Sequence, residues 1–403
     1  MPIPLLGQVD DLPGVAEAGF KSEQLNSFVN VKTADKDLQF GSEKCSFMFV
    51  SKMKTNSSHQ TELFVDSWKV KHNIDGTMEE CFEGKVPMME ENSLLYLGYV
   101  ISKDGSNMPN ISHKTNKSIG TQKKIVKLVE PLALYTFECA VIYIDSLLRS
   151  SILYASETMI NVKEVEYRAL EKTEEAVLQQ ILQTTRSCSR HLLYLETGSI
   201  PARFQVQRQV LNLLQYILQQ PSNSLIFRVY EALENHPSRN DWLNGAKKIL
   251  ESFQIKLSFE EIKLMKPTKF KNIVKIQSRK AGFKYLLEKQ EGGKKGKNIS
   301  YTKIEMADYL LPECSLSVKD KTELFAFRCE MNSLPNNYGN TDLCEYSCPE
   351  LMNNQHLLTC PFLNEGQSCS LKMEQILNGN INEKIEVLRK LQENSHKFNQ
   401  KHE

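Results

Sequence analysis

The stretch Leu5-Leu6-Gly7-Gln8-Val9-Asp10-Asp11-Leu12-Pro13-Gly14-Val15 places two adjacent carboxylates between two short apolar runs. A hairpin would bury the runs and hold Asp10 and Asp11 at its tip. Carboxylate oxygens suit a hard cation such as Mg²⁺. Two such ions can clamp the attacking and leaving oxygens of a phosphoryl transfer. Adjacent carboxylates repel, and a bound cation relieves the repulsion. An Asp-Asp pair in an ordinary turn is the plainer alternative, so the surrounding chain has to decide.

Outward from that pair, residues 21–31 carry Leu25, Phe28 and Val29 at helical spacing. Phe40-Gly41-Ser42-Glu43-Lys44-Cys45 then leads into an apolar, β-prone run over 45–50. Further strands are expected over 63–70 and 94–101, the last closed by the turn signal Lys103-Asp104-Gly105. From about Thr121 the period becomes helical. Val162, Val165, Ala169, Ala176, Val177 and Ile181 suggest one long helix. Val206, Val210, Leu213, Leu214 and Ile217 form the apolar face of another, opened by Pro201 and stopped by Pro221. Residues 292–296 and 333–342 read as breaks, and a polar helix follows near 371–391. Trp68 and Trp242 are expected as core or partly buried anchors.

The chain has 403 residues, 50 Lys+Arg against 49 Asp+Glu, and a net charge of +1. Such a balance excludes an acidic disordered tail and a wholly basic packaging protein, and the length supports two to three domains. The average hides a segregation. Residues 261–303 hold 12 lysines and Arg279 against Glu261, Glu288 and Glu291, a net charge of +10, which leaves −9 for the rest. With Phe270, Phe283 and Tyr285 interleaved, this block suits a polyphosphate partner, and Lys280, Lys284, Lys294, Lys295 and Lys297 are the candidate contacts. A solvated lysine-rich face is the alternative. The most apolar run, 132–148, is interrupted by Glu138 and Asp145 and reads as a core helix rather than a membrane span. Ten cysteines in 403 residues are not a disulfide framework, so a reducing, intracellular setting is expected, nuclear or cytoplasmic and not secreted.

Four of those cysteines lie between Cys344 and Cys369. Cys344-x3-Cys348-x7-His356-x3-Cys360 offers three thiolates and an imidazole, a set that tetrahedral Zn²⁺ accepts as a closed structural site. A short loop-rich segment gains order from such an ion, since metal binding and local folding are coupled. Leu357 and Leu358 would pack this knuckle onto helices. Cys369 is a spare thiol able to replace a ligand.

The order of these motifs resembles the back half of a reverse transcriptase palm of the LINE-type (non-LTR) retrotransposon family. Gln8-Val9-Asp10-Asp11 is similar to the family's aromatic-x-Asp-Asp hairpin, with Gln8 where an aromatic residue is usual. Lys44 matches the lysine at the helix-to-strand step, and Tyr96-Leu97-Gly98 the primer-grip strand. The likeness continues through His191-Leu192-Leu193-Tyr194-Leu195-Glu196-Thr197-Gly198, the helix with Arg203 and Arg208, and Gln355-His356-Leu357-Leu358-Thr359-Cys360. The resemblance implies that Asp10 and Asp11 bind catalytic Mg²⁺ and that Lys44 protonates the leaving pyrophosphate. It also implies dNTP substrates, an RNA template and a DNA primer or target. Fingers, the first palm carboxylate and a downstream nuclease would lie outside this sequence, so the chain alone is expected to be a truncated, inactive nucleotidyltransferase.

The expected fold is therefore α+β: a partial palm over 1–107, a mostly helical thumb-like and connector region over 108–331, and a zinc knuckle with a helical tail over 332–403. Two other functions remain open. One is a non-enzymatic RNA- or DNA-binding protein that uses the basic block and the knuckle. The other is a helical interaction scaffold that presents helices such as 201–219 to a partner.

Overall fold

The computed structural model describes residues 46–47, 64–72, 78–87, 89–90, 92–129, 137–184, 188–237, 241–293, 295–330, 344, 348, 353–365 and 369–400. The expected hairpin at Asp10-Asp11, the helix over 21–31, Lys44 and the linker over 333–342 lie outside them. The chain divides into two units, Met1–His113 and Lys114–Glu403.

All described strands belong to the first unit. Strand β1 (Ser46–Phe47) pairs parallel with β4 (Met89–Glu90), and β2 (Phe64–His72) pairs antiparallel with β3 (Met78–Pro87). The register opposes Trp68 to Phe82 beside a bulge at Ser67/Trp68. The run read as one strand over 94–101 is instead a hairpin of β5 (Ser93–Tyr96) and β6 (Tyr99–Ser102). Its two-residue turn is Leu97-Gly98, with φ of 46° and 78°. Positive φ at both positions is the type I′ signature, whose twist matches paired strands. An apolar run interrupted only by Gly98 hid that turn. Gly105, with φ of 70°, closes β6 by donating its N–H to Ser102 O, as the turn signal had indicated.

Helices dominate the second unit. In chain order they are α1 (Met108–Val129), which begins in the first unit, α2 (Phe137–Tyr143), α3 (Arg149–Ile152), α4 (Glu164–Ile181), α5 (Arg190–Thr197), α6 (Ala202–Leu218) and α7 (Leu225–Asn235). They continue with α8 (Trp242–Ser252), α9 (Phe259–Leu264), α10 (Pro267–Glu291), α11 (Val318–Arg328), α12 (Asn354–Thr359), α13 (Met373–Asn378) and α14 (Ile381–Gln400). A π-turn, Ile144–Leu148, joins α2 to α3. Side-chain oxygens start six of these helices: Ser224, Asp241, Ser258, Ser317, Asn353 and Asn380 accept from the N–H three residues on. Among the described residues no helix is long and apolar enough to cross a membrane.

Helix α6 is the hub. It packs against α4, α7, α8, α9 and α10. Val206, Val210, Leu211 and Leu214 are fully buried, and Leu213 is half-buried at the edge of that face. Tyr216, 56% exposed, is what the helix leaves outward of the face that the scaffold reading of 201–219 would present. Trp242 is half-buried and anchors α8 by donating Nε1–H to Glu157 O at 3.0 Å.

The expected apolar face of α4 is buried at Val177 and Ile181 but not along its whole length, and acids share the burial. Val165 is 62% exposed, while Glu171, Glu174 and Glu175 are buried. Each acid meets an arginine. Arg149 Nε donates to Glu174 at 2.6 Å, Arg203 Nε to Glu171 at 2.5 Å, and Arg168 Nη1 to Glu175 at 2.7 Å. Tyr167 and Tyr285 flank the Arg203 guanidinium. Paired and hydrogen-bonded in this way, the charges replace an apolar seam between α4, α6 and the π-turn region.

A further buried ion pair, Glu196 with Arg328, joins segments distant in sequence. Glu196 on α5 is wholly buried and accepts from Arg328 Nη2 at 2.8 Å, from Tyr309 Oη at 2.6 Å and from Tyr301 Oη. Burial opposes its ionisation, but the Arg328 charge and these hydrogen bonds outweigh burial and hold the carboxyl below its ordinary range. Burial and then the Glu196 charge push both tyrosine hydroxyls well above 10, so they remain donors. Arg328 also donates to Ile376 O at 2.6 Å and to Leu377 O, which reaches α13. Gly198 ends α5 with φ of 67°, and a Cβ there would collide with the Glu305 and Met306 backbone. Glu196→Gln should therefore lose about 3–5 kcal/mol of unfolding free energy, because it leaves Arg328 charged and uncompensated in the interior. Urea unfolding checks this. The wild-type contribution of Glu196 is present above the ordinary carboxylate range and is lost as pH falls through its depressed folded value.

Candidate metal centre

The ligand helix α12 begins at Asn353, whose side chain accepts from His356 N–H at 2.8 Å. Cys360 caps its other end and donates its N–H to His356 O at 2.7 Å. An i, i+4 spacing on a helix sets His356 and Cys360 on one face. Leu357 and Leu358 are fully buried, as the knuckle reading requires, and α12 packs on α13 and α14.

A helix this short leaves many carbonyls without an intrahelical partner. Asn364 Nδ2 supplies Leu358 O at 2.7 Å and Cys360 O at 2.9 Å, and Asn394 Nδ2 of α14 supplies Leu357 O at 2.7 Å. Asn354 Nδ2 donates to Phe327 O at 3.1 Å, which docks α12 on the end of α11 beside Arg328. These four asparagines fix the ligand-bearing backbone from outside, the role outer partners serve at metal sites. Sequence reading missed them. The N-cap preference of Asn353 was a usable signal, whereas Asn394 lies too far along the chain to be linked to His356 by spacing.

Cys344, Cys348, His356 and Cys360 come together with all four ligand atoms within 4.8 Å of one another, and all four residues are buried. Cys344 Sγ is 3.9 Å from Cys360 Sγ, and Cys348 Sγ is 3.8 Å from it. A disulfide requires about 2.05 Å, so these are separate thiols. A tetrahedral ion with Zn–S bonds of about 2.3 Å has an S···S edge of about 3.8 Å, the spacing found. The donor set fits a borderline-soft ion and not Mg²⁺, which takes oxygen ligands. Burial, and then hydrogen bonds with and charge from Cys344 and Cys360, push the Cys348 thiol up to about 12. A dication among the sulfurs inverts that preference and stabilises the thiolates. Four protein ligands leave no open position, so the centre is structural in type. Cys369 is half-buried and is not one of the four.

Tyr96 ends β5, with Leu97 and Gly98 in the turn that follows. Asp10, Asp11, Lys44 and Lys294 lie outside the described residues. Lys280 and Lys284 are exposed on α10, and Lys297 is exposed just beyond it. Lys295 is half-buried and donates Nζ–H to Glu330 O at 2.9 Å, which commits it to the fold rather than to a ligand. Phe270 is fully buried, and Tyr285 stands edge-on to Phe204 with centroids 5.7 Å apart. Phe270 and Tyr285 are thus engaged in packing, while Lys280, Lys284 and Lys297 face outward.

Compared with known proteins, the chain matches no protein-family model, no curated protein and no solved structure.

Purified chain should hold one zinc per molecule. Cys360→Ser and His356→Ala should each release it and lower the melting temperature, whereas Cys369→Ser should do neither. Free zinc at 1,000 times the dissociation constant should raise unfolding free energy by about 4 kcal/mol over chelated protein. Metal analysis with thermal melting reads all four outcomes.

Proposed function

We propose that this chain is a nucleic-acid-binding protein held in shape by a structural zinc centre, and that it corresponds to the C-terminal portion of a LINE-type reverse transcriptase. The observation that carries the binding role is the buried Cys3His set at tetrahedral spacing, docked on the same helical unit as the lysine-rich helix α10. Zinc orders α12 against α11 and α14. Lys280, Lys284 and Lys297 then contact phosphates as point charges, which gives affinity with little sequence preference.

The reverse-transcriptase assignment rests on the shared order of Asp10-Asp11, Lys44, Tyr96-Leu97-Gly98, the stretch 191–198 and the Cys/His segment. In it, Asp10 and Asp11 would hold Mg²⁺ for nucleotidyl transfer, with RNA as template. Residues 355–360, part of that resemblance, carry two of the metal ligands.

Fluorescence anisotropy with a labelled single-stranded RNA tests the binding role. The logarithm of the binding constant should fall linearly with the logarithm of salt concentration. Lys280→Ala with Lys284→Ala should reduce the slope by about two. Binding that ignores salt, or no binding by the zinc-loaded chain, would overturn the proposal. Primer extension by the purified chain with Mg²⁺ would instead move the assignment to the polymerase itself.

A further inference from the structure

A second feature of the helical unit lies away from the cysteines. A cleft of about 430 Å³ opens between the π-turn region, the Gly198-Ser199 turn, α6 and α10. Its polar lining includes Asp145, Arg149, Ser199, Arg208, Lys275 and Arg279. Helical spacing aims them. Asp145 and Arg149 are four apart, as are Lys275 and Arg279, so each pair shares a face.

The charges do not balance. Arg149 is committed to Glu174, Asp145 and Ile200 O. Arg149, Glu174 and Asp145 together carry one negative charge. Arg208, Lys275 and Arg279 carry three positive ones, so two positive charges stay uncompensated. Arg279 gives one N–H to Ile304 O at 2.8 Å. The Arg208 side chain makes no hydrogen bond or ion pair among the described residues, nor does the Lys275 ammonium. Burial, and then the Arg149 and Arg279 charges, push the Arg208 guanidinium below its ordinary value, with Asp145 opposing. Like charges held together around an open, polar space call for an anion.

We propose that this cleft binds a dianionic phosphoryl group, with Arg208 and Arg279 as forked donors and Lys275 as a point charge. Guanidinium forks match phosphate oxygens bidentately. A terminal phosphate near neutral pH carries roughly −1.5 to −2, which matches two uncompensated charges better than a carboxylate or one phosphodiester does. The cleft has room for more than the phosphate. Its source is either a small phosphorylated molecule or the phosphorylated end of a nucleic acid strand.

Calorimetric titration of the full zinc-loaded chain with inorganic phosphate tests this. Saturable binding near one per chain is expected. Arg208→Gln and Lys275→Gln should each weaken it about tenfold or more, with Lys248→Gln, exposed on α8 and outside the cleft, unchanged. Lys275 is exposed, so its variant keeps the test intact should Arg208→Gln fail to fold. A short oligonucleotide with and without a 5′-phosphate separates the sources. Tighter binding of the phosphorylated form points to a strand end, and equal binding points to a small molecule. No phosphate binding, or binding indifferent to both cleft variants, would overturn the proposal. The inference stands apart from the zinc centre, since inorganic phosphate binding can hold where RNA binding fails, and the reverse.

Discussion

Three thiols and an imidazole gathered within 4.8 Å, all buried, form an arrangement that works against itself without a cation. Desolvation and mutual repulsion disfavour the thiolates, and neutral thiols offer only weak hydrogen bonds. A dication at their centre turns each of those terms favourable. The rest of the C-terminal fold depends on this. Helix α12 has six residues, too few to persist by itself. It is held by its ligands on one side and by the amides of Asn354, Asn364 and Asn394 on the other.

Buried charge carries the connection onward. Asn354 meets Phe327 O, the next residue is Arg328, and Arg328 meets Glu196 across 132 positions of sequence. The knuckle is therefore not a bead on a linker. It closes onto an ion pair that also gathers Tyr301, Tyr309 and the end of α5. The Glu171–Arg203 and Glu174–Arg149 pairs do the same, joining α4 to α6 and to α3. Such pairs add little stability relative to well-packed apolar residues, yet removing one partner is severe, so they fix which helices meet.

The metal ligands were legible in the sequence because Cys-x3-Cys-x7-His-x3-Cys is local and chemically specific. The α6 core was legible because its apolar face keeps a steady period. Helix α10 was not. Its buried residues, Phe270, Val274, Ser278, Gly282, Leu286 and Gln290, recur every four positions. A four-residue step overshoots a full turn by about 40°, so the buried stripe winds around the helix and no fixed apolar face appears. Three of those six residues are also Ser, Gly and Gln, chosen for close approach and hydrogen bonding: Gln290 Nε2 donates to Gly296 O and Ile299 O. The buried glutamates of α4 have no local signal: Glu171 and Glu174 meet arginines of α6 and α3, distant in sequence, and only Glu175 finds Arg168 on its own helix. Glu196 pairs with Arg328, 132 positions away, a partner that only the fold could supply.

X-ray absorption at the zinc edge of the purified chain tests the metal centre most directly. A Cys344, Cys348, His356, Cys360 site gives three sulfurs at about 2.3 Å and one nitrogen at about 2.0–2.1 Å. A first shell of oxygen and nitrogen without sulfur would place the metal elsewhere and contradict the structural role assigned to the four residues.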